Sequence, residues 1–286
     1  MASYTEIEKE NNPKTTIIKY TQELHEKTGR NVIVYYSGWL TVDDGELSIE
    51  SMDKNGFIDL INNIDESKGL DLILHTPGGS VSATESIIDY LHAVFGDDIR
   101  AIIPQMAMSA GTMIACSCKE ILMGKQSSLG PVNPQIYGVP AKSVIEEFEL
   151  AKKEIEENPK STPYWTILLK KYPINFLFEC KNTMEWARDI LEKALKYSMF
   201  KEDNQDKIDK IISELISGDS TKNHSRNLSA AKCKKIGLNI KCIEKDEELS
   251  DIILSIHNAC ISYFYRENSS KIYLNQNGTF LSYNFE

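Results

Sequence analysis

The residues from 71 to 83 read DLILHTPGGSVSA and decide the fold. The first five, DLILH, have the length and apolar content of a buried strand. The next four, Thr76-Pro77-Gly78-Gly79, make a turn that neither a strand nor a helix can contain. From Val81 to Phe95 the apolar residues fall on one helical face, and Gly96 follows. The stretch therefore predicts a strand, a tight turn and a helix in succession.

The same alternation continues on both sides of this stretch. Short apolar runs typical of strands occupy residues 31–36, 99–104 and 120–123. Helical patterns occupy residues 51–64 and 112–118. Strands and helices that alternate along a chain favour right-handed βαβ crossovers and a mainly parallel sheet. The sequence therefore predicts an α/β fold.

The outer segments add helices and a hairpin to this core. Helical spacing recurs in five further segments, which are residues 15–28, 141–158, 183–216, 228–235 and 249–265. A last strand is predicted at 238–243, and a hairpin at 271–283 with Asn277-Gly278 as its tight turn. We expect three parts, which are an N-terminal helical extension (1–30), the α/β domain (31–245) and a C-terminal helix and hairpin (246–286).

The composition is typical of a soluble globular protein, with 41% hydrophobic and 26% charged residues. A net charge of −10 argues against nucleic-acid binding, because phosphate recognition needs a basic surface. No stretch reaches the ~20 apolar residues that span a bilayer, and the polar N-terminal segment has no signal-peptide core. We therefore expect a cytoplasmic protein.

The cysteine pattern gives no sign of a metal site. The six cysteines are scattered, and Cys116-x-Cys118 is too tight for ordinary zinc spacing and has no partner pair. We expect reduced thiols and neither a metal nor a cofactor. The chain also has no phosphate-binding glycine-lysine loop, so any ATP dependence would come from a partner.

Two glycine-containing turns carry the candidate chemistry, because each follows a strand and opens a helix. A helix N-terminus exposes backbone N–H groups, and acyl transfer needs two such donors aimed at one developing oxyanion. Gly78 and Gly79 let the backbone approach a substrate without a Cβ in the way. In the second turn, within MAMSAGTMIA at 106–115, the hydroxyl of Ser109 is expected to be exposed, with the N–H of Ala110 beside it.

These segments resemble a known family. LHTPGGSVSA at 74–83 resembles the proline-glycine-glycine turn of the Clp protease proteolytic subunit and of signal peptide peptidase A, and residues 106–115 resemble their nucleophile segment. MGKQSSLGPVNPQ at 123–135 is most similar to the serine dehydrogenase proteinase branch. Residues 220–240, STKNHSRNLSAAKCKKIGLNI, are similar to the histidine-containing end of that branch.

The resemblance implies a crotonase/Clp-type ββα superhelix with added C-terminal helices and hairpin. It implies hydrolysis of peptides or unfolded proteins through a serine acyl-enzyme, and assembly into a homo-oligomer. Carried over to this sequence, Ser109 is the nucleophile, and the Gly78–Gly79 turn and Ala110 form the oxyanion hole. Whether an unfoldase or a membrane partner delivers substrates is left open.

The identity of the general base is also left open. The histidine of the Clp triad aligns with Asn133, whose amide cannot accept a proton at neutral pH. His224 aligns within a residue of the Clp aspartate, so the two roles are exchanged if His224 takes the hydroxyl proton and Asn133 fixes its tautomer. A lysine base, as in signal peptide peptidase A, would be Lys152, Lys153 or Lys160, in a segment typical of a solvated face.

Two other function classes remain. A non-catalytic peptide-binding or scaffold protein is compatible with Asn133 at the histidine position. A crotonase-type acyl-CoA enzyme would use the same paired N–H groups with an acidic residue near the turns, for which the helix after Gly79 offers Glu85. His75, directly before the turn, is expected to pack the strand end.

Overall fold

The computed structural model describes residues 12–43, 45–201, 204–216 and 227–284 of the chain. The described helices are α1 Pro13–Thr28, α2 Asp53–Ile61, α3 Val81–Phe95, α4 Ala110–Cys116, α5 Ala141–Glu157, α6 Thr162–Leu169, α7 Phe176–Ala194, α8 Gln205–Ile216, α9 Ala230–Ile236 and α10 Glu247–Arg266. The described strands are β1 Asn31–Ser37, β2 Leu70–His75, β3 Ile99–Ile103, β4 Met106–Ala107, β5 Glu120–Met123, β6 Ser128–Leu129, β7 Gln135–Ile136, β8 Val139–Pro140, β9 Leu228–Ser229, β10 Ile240–Cys242, β11 Ser269–Asn275 and β12 Phe280–Asn284.

One large sheet organises the described strands, in the order β10-β5-β3-β2-β1-β11-β12. The strands from β10 to β1 are parallel, whereas β11 pairs antiparallel with both β1 and β12. A smaller sheet has the order β4-β6-β9, and β7 pairs with β8. The predicted α/β fold with a mainly parallel sheet is confirmed.

Helices α1 and α10 pack together against one face of the sheet. Alternate residues of a strand point to the same face, and Val32 and Val34 of β1 belong to the same buried cluster as Leu24 of α1 and Ile256 of α10. The intervening Tyr35 is also buried and stacks on Phe57 of α2, with ring centroids 5.6 Å apart. Both faces of β1 are therefore buried, as expected for a strand inside a parallel sheet.

Local sequence signals set the ends of α1 and α3. The Asn12 side chain accepts a hydrogen bond from the N–H of Thr15, and Gly29 ends α1 in the left-handed region at φ 68°. Ser80 caps α3 in the same way as Asn12 caps α1, by accepting from the N–H of Ala83 at 3.3 Å. The serine after Gly79 therefore begins the helix that follows the glycine turn.

The chain divides into two compact units. The first is Met1–Val132 with Leu191–Glu286, and it contains the large sheet. The second is Asn133–Ile190, whose buried core is formed by Ala141, Val144, Phe176 and Cys180. The boundaries expected at residues 30 and 245 both lie inside the first unit, because α1, α10 and the β11–β12 hairpin share its sheet and core.

Most predicted elements lie where the sequence placed them, including the hairpin turn at Asn277-Gly278. The single helix expected over residues 183–216 is wrong. Helix α7 continues as one π-helical turn, Leu195–Met199, and then stops where Phe200 adopts φ −135° and ψ 76°. The helix expected over 228–235 begins only at Ala230, because the two residues before it pair with β6. None of the described helices is both long and apolar enough to cross a membrane.

The buried carboxylate of Asp71 links the N-terminal ends of neighbouring strands. Asp71 of β2 is fully buried and accepts hydrogen bonds from Nε of Arg30 at 2.7 Å and from Nε and Nη2 of Arg100 at 2.7 and 2.6 Å. Arg100 belongs to β3, the next strand of the sheet. A buried charge is tolerated only when it is paired and hydrogen-bonded. The cluster therefore makes the start of the β2–β3 pair sensitive to loss of Asp71.

We predict that Asp71→Asn lowers the free energy of unfolding by about 3 kcal/mol, because both guanidinium groups lose their fully buried partner and keep only the more exposed Asp98 and Glu120. Urea unfolding measures this change. Glu23→Gln is the control, because it removes an exposed pair with Lys19 at 3.9 Å and is expected to have no measurable effect. Equal losses for the two variants would contradict the role given to Asp71.

Candidate active site

The glycine turn after β2 is paired with a separate backbone segment at Ile49. The N–H of Ile49 donates to the carbonyl of Gly78 at 2.7 Å, and the N–H of Ser80 donates to the carbonyl of Ile49 at 2.8 Å. A Cβ built on Gly79 would lie 2.3 Å from both the nitrogen and the oxygen of Ile49. Only glycine therefore permits this pairing, which fixes the direction of the turn.

Ser109 lies in a strained strand-to-helix turn. Its backbone has φ 49° and ψ −109°, a region that residues with a side chain rarely adopt. Hydrogen bonds from the N–H of Met108 to the carbonyl of Thr76 (2.9 Å) and from the N–H of Thr76 to the carbonyl of Met106 (3.1 Å) hold the preceding strand. Serine nucleophiles are presented on turns of this kind, where the hydroxyl projects from the end of the strand.

The two turns are in direct contact. A Cβ built on Gly78, whose φ is 101°, would lie 2.9 Å from Cβ of Ser109 and 3.1 Å from the nitrogen of Ala110. The same position is 2.7 Å from the carbonyl oxygen of Met108. Any side chain at Gly78 would therefore displace the serine turn. The structure thus brings together the glycine turn, Ser109 and Ala110, as the sequence predicted.

Two backbone N–H groups are available at this contact. Within the described part of the chain, the N–H groups of Gly79 and Ala110 have no hydrogen-bond acceptor. At Gly79 this is because Ile49 bonds to the carbonyl of Gly78 and to the N–H of Ser80, which flank the Gly79 N–H. Ala110 is the first residue of α4, where an N–H has no acceptor inside the helix. A pair of unpaired N–H groups next to a serine is the arrangement that stabilises an oxyanion.

Close packing fixes α4 behind the serine. A Cβ at Gly111 would lie 2.5 Å from Cγ2 of Thr76, so only glycine fits there. The hydroxyl of Thr112 lies 3.0 Å from the carbonyl oxygen of Ala107 and 2.8 Å from that of Gly130. The small residues that the sequence placed around Ser109 therefore serve helix packing as well as access to the hydroxyl.

A buried polar cluster around Asp53 fixes the chain next to Ile49. The carboxylate of Asp53 accepts hydrogen bonds from the hydroxyls of Tyr35 (2.7 Å) and Tyr273 (2.6 Å), from Nζ of Lys271 (2.9 Å) and from the N–H of Glu50 (3.0 Å). Burial, together with the Asp53 charge, raises the pKa of both tyrosines, which therefore remain donors. No sequence signal joins these residues, because Lys271 lies 218 positions from Asp53.

His75 is fully buried and has partners on both ring nitrogens. Nδ1 lies 3.0 Å from the carbonyl oxygen of Ser37, and Nε2 lies 3.2 Å from Oε1 of Gln105. The ring stacks on Tyr36 at 4.3 Å between centroids. Burial, with a contribution from nearby His257, lowers the pKa of His75 to about 3. This environment agrees with a packing role at the strand end.

The candidates for the general base have different positions in the chain. Asn133 begins the second unit and is buried, and its Oδ1 has no hydrogen-bond partner in the described ranges. His224 lies outside the described residues. Lys152 and Lys153 are exposed on α5, where Lys153 pairs with Glu157 at 3.9 Å. Lys160 is exposed after α5, and Glu85 is half-buried on α3.

The described residues contain no cluster of three or more histidine, cysteine, aspartate or glutamate side chains arranged to hold a metal ion. Five of the six cysteines are buried, and Cys242 is exposed. Burial raises the pKa of the thiols of Cys116 and Cys118, so these two groups stay protonated at neutral pH.

A protein-family model described as "ClpP-like SDH-type serine proteinase" matches residues 46–254, which include Ile49, Gly78, Gly79, Ser109 and Asn133. The chain belongs to this family. The match covers most of the chain and agrees with the resemblance to the serine dehydrogenase proteinase branch. The mixed α/β architecture with its mostly parallel sheet is consistent with the ClpP-like fold of the family.

Two archaeal proteins are also similar to this member of the ClpP-like SDH-type family. The uncharacterized protein MJ0137 of Methanocaldococcus jannaschii is 36% identical over 111 residues, which are 39% of this chain and 35% of that protein. The uncharacterized protein MJ1495 of the same organism is 31% identical over 182 residues, which are 61% of this chain and 53% of that protein. The matched part therefore spans only about a third and about half of these relatives.

The contact between Gly78 and Ser109 gives a test of the site. We predict that Gly78→Ala slows fluorophosphonate labelling of Ser109 about 100-fold, because the new Cβ displaces the serine and the N–H of Ala110. Gly29→Ala is the control, because its φ is also positive but nothing lies within 4 Å of the added Cβ. The control is expected to lose about 1 kcal/mol of stability and to keep its labelling rate. Unchanged labelling of Gly78→Ala would remove the turn from the site.

Neutral buried histidines make stability depend on pH. The pKa of His75 is lowered to about 3, and burial lowers that of His257 to about 4. Because both values lie below the unfolded value of 6.5, stability is full above pH 6.5 and falls as the pH decreases toward the folded values. We predict a loss of about 2 kcal/mol per imidazole at pH 5 relative to pH 7.5, measured by urea unfolding. His257→Gln should flatten this dependence, and an unchanged slope would contradict the assignment.

Proposed function

We propose that this chain is a serine peptidase that cleaves peptide bonds through an acyl-enzyme on Ser109. The observation that carries the proposal is the contact between the strained Ser109 turn and the Gly78–Gly79 turn, with unpaired N–H groups on Gly79 and Ala110. Membership of a serine proteinase family supports it. The substrates are peptides or unfolded segments of proteins.

In the proposed reaction, Oγ of Ser109 attacks the carbonyl carbon of the scissile peptide bond and its proton passes to the general base. The N–H groups of Gly79 and Ala110 donate to the oxyanion of the tetrahedral intermediate. The C–N bond then breaks, and the base returns the proton to the leaving amine. Water repeats the sequence on the ester, which releases the acid and restores the serine hydroxyl.

For the general base we propose His224, with Oδ1 of Asn133 accepting from the far ring N–H so that the nitrogen facing Ser109 is unprotonated. The buried, unpartnered Oδ1 of Asn133 supports a role as acceptor for a group outside the described residues. A neutral imidazole is suited to this task because its ordinary pKa is near 6.5. A lysine base is less favourable, because Lys152 and Lys153 are exposed and a lysine must be desolvated to lose its proton.

We also propose that the chain acts as a homo-oligomer. Of the twelve large apolar side chains exposed in the described residues, seven lie in the second unit, including Tyr137, Ile167, Ile174 and Phe178. This concentration in one unit supports the proposal, because contiguous exposed apolar patches mark interaction sites. An unfoldase that delivers substrate would use such an assembly.

A second candidate is a catalytically inactive peptide-binding protein on the same fold. Asn133 favours it, because this residue replaces the histidine of the Clp triad. A crotonase-type acyl-CoA enzyme is less favoured, because the acidic candidate near the turns, Glu85, lies on α3 while the residues beside Ser109 are apolar or small. Both alternatives differ from the peptidase in the reactivity of the serine.

A fluorophosphonate probe tests the proposal on the purified full-length chain. We expect covalent labelling that is lost in Ser109→Ala and reduced at least about 1,000-fold in His224→Ala. Ser82→Ala is the matched control, because Ser82 is an exposed serine close to the glycine turn and should leave labelling unchanged. Peptide mapping of the labelled protein identifies the modified residue.

The labelling results distinguish between the proposed bases and between the peptidase and the inactive protein. Labelling that persists in His224→Ala but is lost in a lysine variant would replace the proposed base and keep the nucleophile. Absence of labelling in a folded wild-type protein, at every pH from 6 to about 9, would favour the inactive peptide-binding protein.

A further inference from the structure

A cavity of about 830 Å³ lies beside β10, the edge strand of the large sheet, within the first unit. Its large apolar side chains are Met123, Met199, Phe200, Leu238 and Ile240. The volume falls in the range of sites that hold a small molecule or a few residues of a peptide. Nothing in the proposed chemistry at Ser109 uses this cavity.

The charge around the cavity has the opposite sign to that of the chain. Five lysines line it, which are Lys125, Lys207, Lys234, Lys241 and Lys245, and among the described residues Glu244 is the one acidic residue that lines it. The chain as a whole has a net charge of −10. A local excess of positive charge on an acidic protein is a selective surface for anionic groups.

Two of these ammonium groups, those of Lys234 and Lys245, have no acidic partner among the residues that the structure describes. Lys125 interacts electrostatically with Glu244, to which its backbone N–H also donates at 2.6 Å, and Nζ of Lys241 lies 3.9 Å from Glu120. Nζ of Lys207 lies 4.1 Å above the ring of Phe200. The cavity therefore combines an apolar floor with cations that are free to bind a ligand.

The edge strand gives this cavity a third property. β10 pairs only with β5 in the described sheet, so its outer edge has no neighbouring strand, and Lys241 and Cys242 on it are exposed. An open strand edge binds extended peptides through backbone hydrogen bonds, while side-chain pockets select the sequence. Strands β3 and β5 are parallel neighbours in the sheet. The segment that leads to Ser109 follows the C-terminal end of β3, and the cavity lies at Met123, the C-terminal end of β5, so both follow the same end of neighbouring strands.

We propose that this cavity anchors extended peptide segments in which a bulky apolar side chain is flanked by acidic ones. The apolar side chain fills the floor at Phe200 and Leu238, and the carboxylates lie against the lysine rim. The use of this anchor to present substrate to Ser109 rests on the proposed peptidase function, whereas the binding itself does not.

Binding is measured on the full chain carrying Ser109→Ala, so that the probe is not cleaved. The probe is a rhodamine-labelled peptide, Gly-Glu-Asp-Phe-Leu-Glu-Asp-Gly, followed by fluorescence anisotropy. We expect saturable binding that weakens as salt is added. Replacing Phe-Leu by Gly-Ser, or the four acidic residues by lysine, is expected to abolish it.

Charge reversal locates the site. Lys125→Glu with Lys234→Glu is expected to weaken binding at least about tenfold, because two attractive charges become repulsive. Lys170→Glu with Lys171→Glu is the matched control, since these two exposed lysines do not line the cavity. Equal binding by both double variants would overturn the proposal, as would the absence of saturable binding to the parent chain.

The rate of Cys242 alkylation gives a second test of the binding site, and this test needs no lysine variant. It lines the cavity and is the exposed cysteine of the six, so a neutral maleimide reports on this position. Saturating peptide is expected to slow its alkylation at least about fivefold by covering the thiol. Alkylation at an unchanged rate in the presence of bound peptide would place the peptide elsewhere. Because fluorophosphonate labelling of the wild-type chain is independent of these results, failure of the anchor and failure of the peptidase proposal are distinguishable.

Discussion

The candidate site depends on the backbone pairing between Ile49 and the Gly78–Gly79 turn. Two hydrogen bonds, of 2.7 and 2.8 Å, engage the carbonyl of Gly78 and the N–H of Ser80, and the N–H of Gly79 has no acceptor among the described residues. The pairing is so close that a Cβ at Gly79 would overlap Ile49. With the turn fixed on one side in this way, its other side contacts Ser109, and the strained serine backbone has a rigid partner.

The pairing segment is itself held by buried polar groups rather than by apolar packing alone. Asp53, with Lys271 and two tyrosine hydroxyls, fixes the N–H of Glu50, the residue after Ile49. Replacing a buried ion pair by apolar residues often leaves a protein as stable as before. The Asp53–Lys271 pair acts here by fixing orientation, because hydrogen bonds to the Asp53 carboxylate hold each donor in a defined direction. The C-terminal strand β11 thereby contributes to the geometry of a turn that precedes it by almost two hundred residues.

The distribution of charge separates two kinds of surface on the first unit. Around Ser109 the residues are small or apolar, so backbone N–H groups provide the local positive potential. At the edge of the sheet the positive potential comes from lysine side chains around an apolar cavity. On a chain with a net charge of −10, such a cavity attracts acidic segments that the rest of the surface repels. We therefore propose that lysine side chains serve peptide recognition and that backbone N–H groups serve the reaction at Ser109.

The sequence by itself determined the alternation of strands and helices, the two glycine-containing turns and the position of Ser109 in the second of them, because these depend on local periodicity and on residues with unusual backbone freedom. It also predicted the terminal hairpin, whose Asn277-Gly278 turn is a local signal. It failed on the helix predicted over 183–216, because one amphipathic period fits both a continuous helix and two helices separated at Phe200. Only the tertiary structure decided that Ile49 clamps the glycine turn, that Asp53 and Lys271 form a buried pair, and that five lysines surround one cavity. Those contacts join residues distant in the chain, and no local pattern records which distant residues fold against each other.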